Sequence, residues 1–302
     1  MLRISIFRPA STADKGLIDK LIGRYEKEFQ CQIAYDPAVF ERQTPAEKAL
    51  ALSQLVSGDS CDVLWALRGG EGTADILPFL GDALSHPNAK NKIIIGSSDV
   101  TALLNYAASR FGITSIHSAT FAGLEKEMPL TVAALKRYLI YKEHSPVQFP
   151  QLTPINDKAK QSGTLKFEQS AGGNLSLMAI NRGDLWEVDA TGKLLFLEDW
   201  QEKPHVIDRT LKYLNRVGLF KRARALIIGD IYEKLTVASP GDLPQQRDYL
   251  RQKLSELFQT VEIPVFHTKL IGHGAENVPI PMNAQGYIQM GPAPVLAFGK
   301  TR

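Results

Sequence analysis

The chain has 302 residues, 44% hydrophobic and 22% charged, with 35 basic against 32 acidic side chains. That length exceeds one domain of about 100–150 residues, and the composition is that of a folded globular protein, which excludes disorder and fibrous repeats. A net charge of +3 scattered along the chain, with short clusters such as Lys221-Arg222-Ala223-Arg224 read as a solvated helix end, argues against a nucleic-acid partner.

The start Met1-Leu2-Arg3-Ile4-Ser5-Ile6-Phe7 alternates as a strand and has no leader-type apolar region. No apolar run approaches the ~18 residues that cross a bilayer. We therefore expect a cytoplasmic protein with no membrane partner. Cys31 and Cys61 carry no metal-binding spacing and read as buried thiols, so no structural zinc is expected.

From Met1 onward, short apolar runs alternate with helix-period segments. Leu2–Phe7 is a strand, Lys15–Phe29 a helix, Gln32–Tyr35 a strand, Pro45–Ser57 a helix and Val63–Ala66 a strand. Ile93–Ile95 is the next strand and Val100–Phe111 the next helix. This alternation predicts an α/β fold: an N-terminal Rossmann-like or flavodoxin-like, mostly parallel sheet with flanking helices. Ligands of such sheets bind at the carboxyl ends of the strands.

Two carboxyl ends stand out. Val63–Leu67 runs into Arg68-Gly69-Gly70-Glu71-Gly72, where glycines offer unhindered N–H groups to a ligand or simply serve a flexible loop. Ile93–Ile95 runs into Gly96-Ser97-Ser98-Asp99, where Ser98 is placed as an acyl-transfer nucleophile or as an ordinary helix cap. The spacing fits neither a Walker A loop nor a dinucleotide fingerprint.

The proline-rich stretch 146–164 reads as a linker, which gives an N-terminal domain over 1–145 and a smaller mixed α/β C-terminal domain over 165–302. In that second half, Gly172-Gly173-Asn174-Leu175-Ser176-Leu177 is glycine-rich. The strand Leu194–Leu197 ends in Glu198-Asp199, an amphipathic helix covers Val206–Val217, and Ala225–Ile228 is a further strand. Leu270-Ile271-Gly272-His273-Gly274 then sets a histidine between glycines. A serine nucleophile needs a histidine base, and the base needs a carboxylate to fix its tautomer. Taken singly, Glu198-Asp199 also reads as a helix N-terminus and His273 as a surface residue.

In order along the chain, Arg68-Gly69-Gly70, Gly96 to Thr101, Gly172 to Leu177, Phe196 to Asp199, Ile207-Asp208-Arg209 and Gly272-His273-Gly274 resemble the serine LD-carboxypeptidases. That family includes murein tetrapeptide carboxypeptidases and microcin C immunity peptidases. The resemblance implies Ser98 as nucleophile, His273 as general base and Glu198 as its orienting carboxylate, with Glu202 one helical turn on as the other acid in reach. It also implies an oxyanion hole from the N–H groups of Gly70 and Asp99, a site built between two domains, a homodimer, and a reaction with no metal and no cofactor.

The implied substrate is a small murein peptide, cleaved at the amide between an L-centre and a C-terminal D-amino acid. An exopeptidase must also hold the free carboxylate, for which Arg68, beside Gly69, is a candidate; its other role would be a salt bridge bracing the loop. Glu71, Ser97 and Ser118, within Ile116-His117-Ser118-Ala119-Thr120, depart from the family pattern and are expected near the pocket mouth. A peptidase for a microcin C-like peptidyl or aminoacyl nucleotide, with Trp186 or Trp200 stacking on the base, is the alternative enzyme. A non-catalytic binding protein on the same scaffold is the alternative of another class.

Overall fold

The computed structural model describes residues 1–140, 148–149, 152–232 and 235–299. It divides into two compact units, one of Met1–Glu143 with Asn277–Asn283, the other of His144–Glu276 with Ala284–Arg302. The proposed linker begins outside the described residues.

Unit 1 is built on a six-stranded sheet. Its strands are β1 (Leu2–Phe7), β2 (Cys31–Tyr35), β3 (Val63–Ala66), β4 (Ile93–Gly96) and β5 (Thr114–His117), closed at one edge by Ile280–Pro281. The spatial order 2-1-3-4-5 is flavodoxin-like, and β1 to β5 are parallel. Ile280–Pro281 pairs antiparallel with β5, so Asn277–Asn283, which the sequence leaves in the C-terminal domain, belongs here. Strand order reverses between β1 and β3, which makes the carboxyl ends of these strands the ligand crevice of such a sheet.

β3 is buried along its length and β4 at three of its four residues, as expected of a parallel sheet covered on both faces. Helix α1 (Lys15–Phe29) starts where the Asp14 carboxylate accepts from the Leu17 N–H. Helix α2 (Pro45–Ser57) starts at a Thr44/Glu47 capping box, a device worth about 1 kcal/mol. Under α1, Phe29 packs edge-on to Trp65 at 5.6 Å, and Trp65 packs edge-on to Phe121 at 5.6 Å. Each ring is fully buried, which stabilises the fold by roughly 2–3 kcal/mol per side chain. The one polar atom of Trp65, Nε1, donates to the Ala119 carbonyl at 2.9 Å.

Unit 2 holds a five-stranded sheet in the order 153–154, 265–267, 225–228, 194–198, 170–174. It is parallel except for Thr153–Pro154. An antiparallel sheet of Gln148–Phe149, Val295–Phe298, Gly286–Met290 and Gly163–Phe167 accompanies it. The described part of the stretch read as a linker is integral to this unit. Buried Asn156 donates to the carbonyls of Phe258, Val261 and Ile263 and accepts from the N–H groups of Ala159 and Val265. The amphipathic helix runs over Pro204–Arg216 and buries Ile207, Leu211 and Leu214.

Candidate active site

In unit 1, Ser98 sits two residues after β4, half-buried, with φ +60°. An L-residue held in the left-handed region costs about 1–2 kcal/mol, and a serine on a strained strand-to-helix turn is the geometry that lifts a hydroxyl clear of the sheet. Among the described residues the Ser98 side chain accepts no N–H, so it does not serve as a cap; Ser97, which precedes the turn, makes no side-chain cap either.

The glycine loop after β3 closes on this turn. A Cβ at Gly69 would lie 2.8 Å from Ser98 Cβ and 3.0 Å from its Oγ, and one at Gly70 would collide with Ser11 Oγ. Gly70 also has φ +116°, so both space and backbone conformation require glycine there. Asp99 Oδ2 accepts from the Thr73 N–H at 2.8 Å, which fastens the far end of the loop to the residue after Ser98. Burial pushes the Asp99 carboxyl up, against the Thr73 hydrogen bonds and the Lys48 charge. Among the described residues neither the Gly70 nor the Asp99 N–H donates to a protein acceptor. Arg68 is exposed and forms no ion pair among the described residues; the salt-bridge role is not seen.

In unit 2, Glu198 ends its strand fully buried, in register with Asn174. Its Oε2 lies 2.7 Å from His273 Nδ1. An ionised carboxylate only accepts, so Nδ1 carries the proton and Nε2 is left as the basic nitrogen. Gly272, with φ +120°, lets the loop pass close: a Cβ there would sit 3.2 Å from Glu198 Oε2. Glu202 does not pair with the histidine; its carbonyl accepts from the Thr236 N–H at 3.0 Å.

Three features around this pair escaped the sequence reading. Asp199 is a hub: Oδ1 accepts from Asn174 Nδ2 and the Trp200 N–H, and Oδ2 from the Ser176 N–H and Oγ. Burial first, and then the neighbouring Glu198 charge, push its carboxyl above the usual range. Trp200 stacks on the His273 ring, centroids 5.3 Å apart and planes 27° apart. Asp230 links the two segments through its backbone, its N–H donating to Ile271 and its carbonyl accepting from Asp199. An acid directly after a strand-end glutamate was a visible signal for the first; the other two depend on tertiary neighbours.

The expectations for Trp186, Ser97 and Ser118 need correction. Trp186 is only 3% exposed, a core ring with no free face for a nucleobase, and Trp200 has one face on His273. Of the three departures, only Glu71 is exposed. Ser97 is buried, and Ser118 is buried with its Oγ donating to the Asn277 carbonyl at 2.8 Å, so these two pack rather than line a mouth. Cys31 and Cys61 are buried free thiols, with burial pushing the Cys31 thiol up to about 11.

Two domain profiles match the chain: the LD-carboxypeptidase N-terminal domain over residues 4–118 and the LD-carboxypeptidase C-terminal domain over residues 169–288. The chain is 34% identical over 231 residues to a putative carboxypeptidase of Rickettsia conorii, covering 76% of this chain and 69% of that protein. It is 29% identical over 227 residues to the murein tetrapeptide carboxypeptidase of Pseudomonas aeruginosa, covering 71% and 68%. Among solved structures, the muramoyltetrapeptide carboxypeptidase from Oxalobacter formigenes has a TM-score of 0.81 at 21% identity over 99% of both chains. The wild-type apo microcin C7 self immunity protein MccF also scores 0.81, at 19% identity over 99% and 96%. These two neighbours share the fold, and the profiles and the Rickettsia relative give the family: the chain belongs to the LD-carboxypeptidases.

Proposed function

We propose that the chain is a serine carboxypeptidase that removes a C-terminal D-amino acid from an L-centre, with the D-alanine of a murein tetrapeptide as the leaving group. The observation that carries this reading is the buried Glu198 carboxylate bonded at 2.7 Å to His273, a base oriented and ready to become charged.

In the proposed reaction Ser98 Oγ attacks the scissile carbonyl carbon and passes its proton to His273 Nε2. The carbonyl oxygen takes up the negative charge and is held by the N–H groups of Gly70 and Asp99. Collapse breaks the C–N bond, and His273 returns the proton to the departing amine. Water, deprotonated by His273, then attacks the acyl-serine ester and releases Ser98 with its proton restored. Arg68, exposed beside the glycine loop, pairs with the terminal carboxylate of the substrate. The names of the Pseudomonas and Oxalobacter proteins support a murein peptide as substrate. The proposal includes a cytoplasmic enzyme acting in cell-wall recycling, and a homodimer.

The test incubates the protein and its Ser98→Ala variant with the tetrapeptide L-Ala-γ-D-Glu-diaminopimelate-D-Ala and follows D-alanine by mass spectrometry. Release by the parent alone supports both reaction and nucleophile. Absence of release from a folded parent overturns the tetrapeptide reading, and equal release by the variant overturns Ser98.

A further inference from the structure

The carboxyl ends of β1 and β2 carry a cluster that the proposed reaction does not use. A cavity of about 400 Å³ lies there against α2, within the usual size of small-ligand sites. Ile6, Val39 and Leu52 make its wall apolar, and Arg8 and Lys48 make it cationic.

Arg8 is 8% exposed. Its Nη1 donates to the carbonyls of Val39 and Glu41. Among the described residues Nε is enclosed with no acceptor and Nη2 has no partner. Lys48 Nζ donates to the Ala10 carbonyl at 2.7 Å. No carboxylate pairs with either cation among the described residues. Asp36, the acid in the lining, accepts from the Ala38 N–H as a cap, and Asp99, Asp75 and Glu71 act on Lys48 through space only.

A guanidinium cannot shed its charge on burial, and a second cation beside it adds repulsion. Burial holds both groups below their ordinary values, and the Arg8 charge lowers Lys48 further. What such a pair lacks is an anion, and the unpartnered side of a guanidinium matches the oxygens of a carboxylate or phosphate.

We propose that this cavity binds a small organic anion, its carboxylate or phosphate head held by Arg8 and Lys48 and its short apolar body against Ile6, Val39 and Leu52. None of Ser98, Gly69 and Gly70 lines the cavity, while Lys48 feels the charges of Asp99 and Glu71; the proposal stands whether or not the chain is a peptidase.

The experiment is calorimetric titration of the full chain with inorganic phosphate and, separately, with butyrate, which distinguishes the two head groups. We expect saturable binding of at least one, weakened about tenfold or more in Arg8→Met and in Ala51→Phe, which adds a ring at the α2 wall of the cavity. Ser98→Ala and Arg68→Ala should bind as the parent does. Should Arg8→Met fail to fold, Ala51→Phe decides. Binding of neither probe, binding that survives the cavity-filling variant, or binding lost in Arg68→Ala overturns the site.

Discussion

Replacing Glu198 by glutamine keeps the shape of a fully buried side chain and removes only the charge that favours a protonated His273. With charge centres about 4 Å apart and an effective dielectric constant of about 20, that charge is worth about 4 kcal/mol. If it acts in the transition state, where the imidazolium forms, kcat falls by about three decades while KM changes little. The assay is D-alanine release from the murein tetrapeptide, with Glu202→Gln run beside Glu198→Gln. Glu202→Gln should stay near the parent, because Glu202 has no contact with the histidine. Activity of Glu198→Gln within about threefold of the parent, or a loss that follows Glu202 instead, would refute the assignment.

Relief of the φ +60° strain at residue 98 makes Ser98→Gly about 1 kcal/mol more stable than Ser98→Ala in urea denaturation, with both inactive; equal stability would show that the turn stores no strain. The Asp199 carboxyl, raised by burial and then by Glu198, has a folded pKa above its unfolded value of about 3.9. Its contribution to stability is complete below about pH 4 and is lost as pH rises through the folded value. The stability gap between parent and Asp199→Asn therefore narrows with rising pH in the acidic range, and a widening gap contradicts the sign. The Trp200 stack on His273 brings an imidazolium against the indole face when the histidine is protonated. Tryptophan emission should titrate with His273, and the transition should vanish in both Trp200→Phe and His273→Gln; its survival in either variant rules the stack out as its source.

The parallel strands were legible because β3 and β4 are apolar runs bounded by turn residues, and parallel strands covered on both faces leave that mark. The Ser98 turn was legible as an apolar run broken by Gly-Ser-Ser-Asp, but its left-handed backbone was not, since serine carries no signal for positive φ. Glu198 and Glu202 both follow the apolar run 194–197 closely enough to be candidates; a loop 75 residues further on decides between them. Asp199 was visible as an acid beside a strand-end glutamate, but its bonds to Asn174 and Ser176 were not, and Asp230 acts through partners distant in sequence that no local pattern encodes. Ile280–Pro281, a two-residue strand holding a proline, has too little length to show any period. Arg8 was hidden for the opposite reason, since an arginine after a strand reads as a solvated end and only its burial makes it unusual.

The return of Asn277–Asn283 to the first unit has a consequence for how the molecule is made. On a ribosome, the sheet of unit 1 waits for its last strand until residues 277–283 have emerged, long after the rest of that sheet, and until then β5 presents an open edge of unpaired backbone groups. Cutting the gene near residue 143 would not yield an independent first half; the fragment would carry that bare edge and a tendency to pair with its own copies. Supplying 277–283 as a graft or a separate peptide is what should restore a well-behaved fragment.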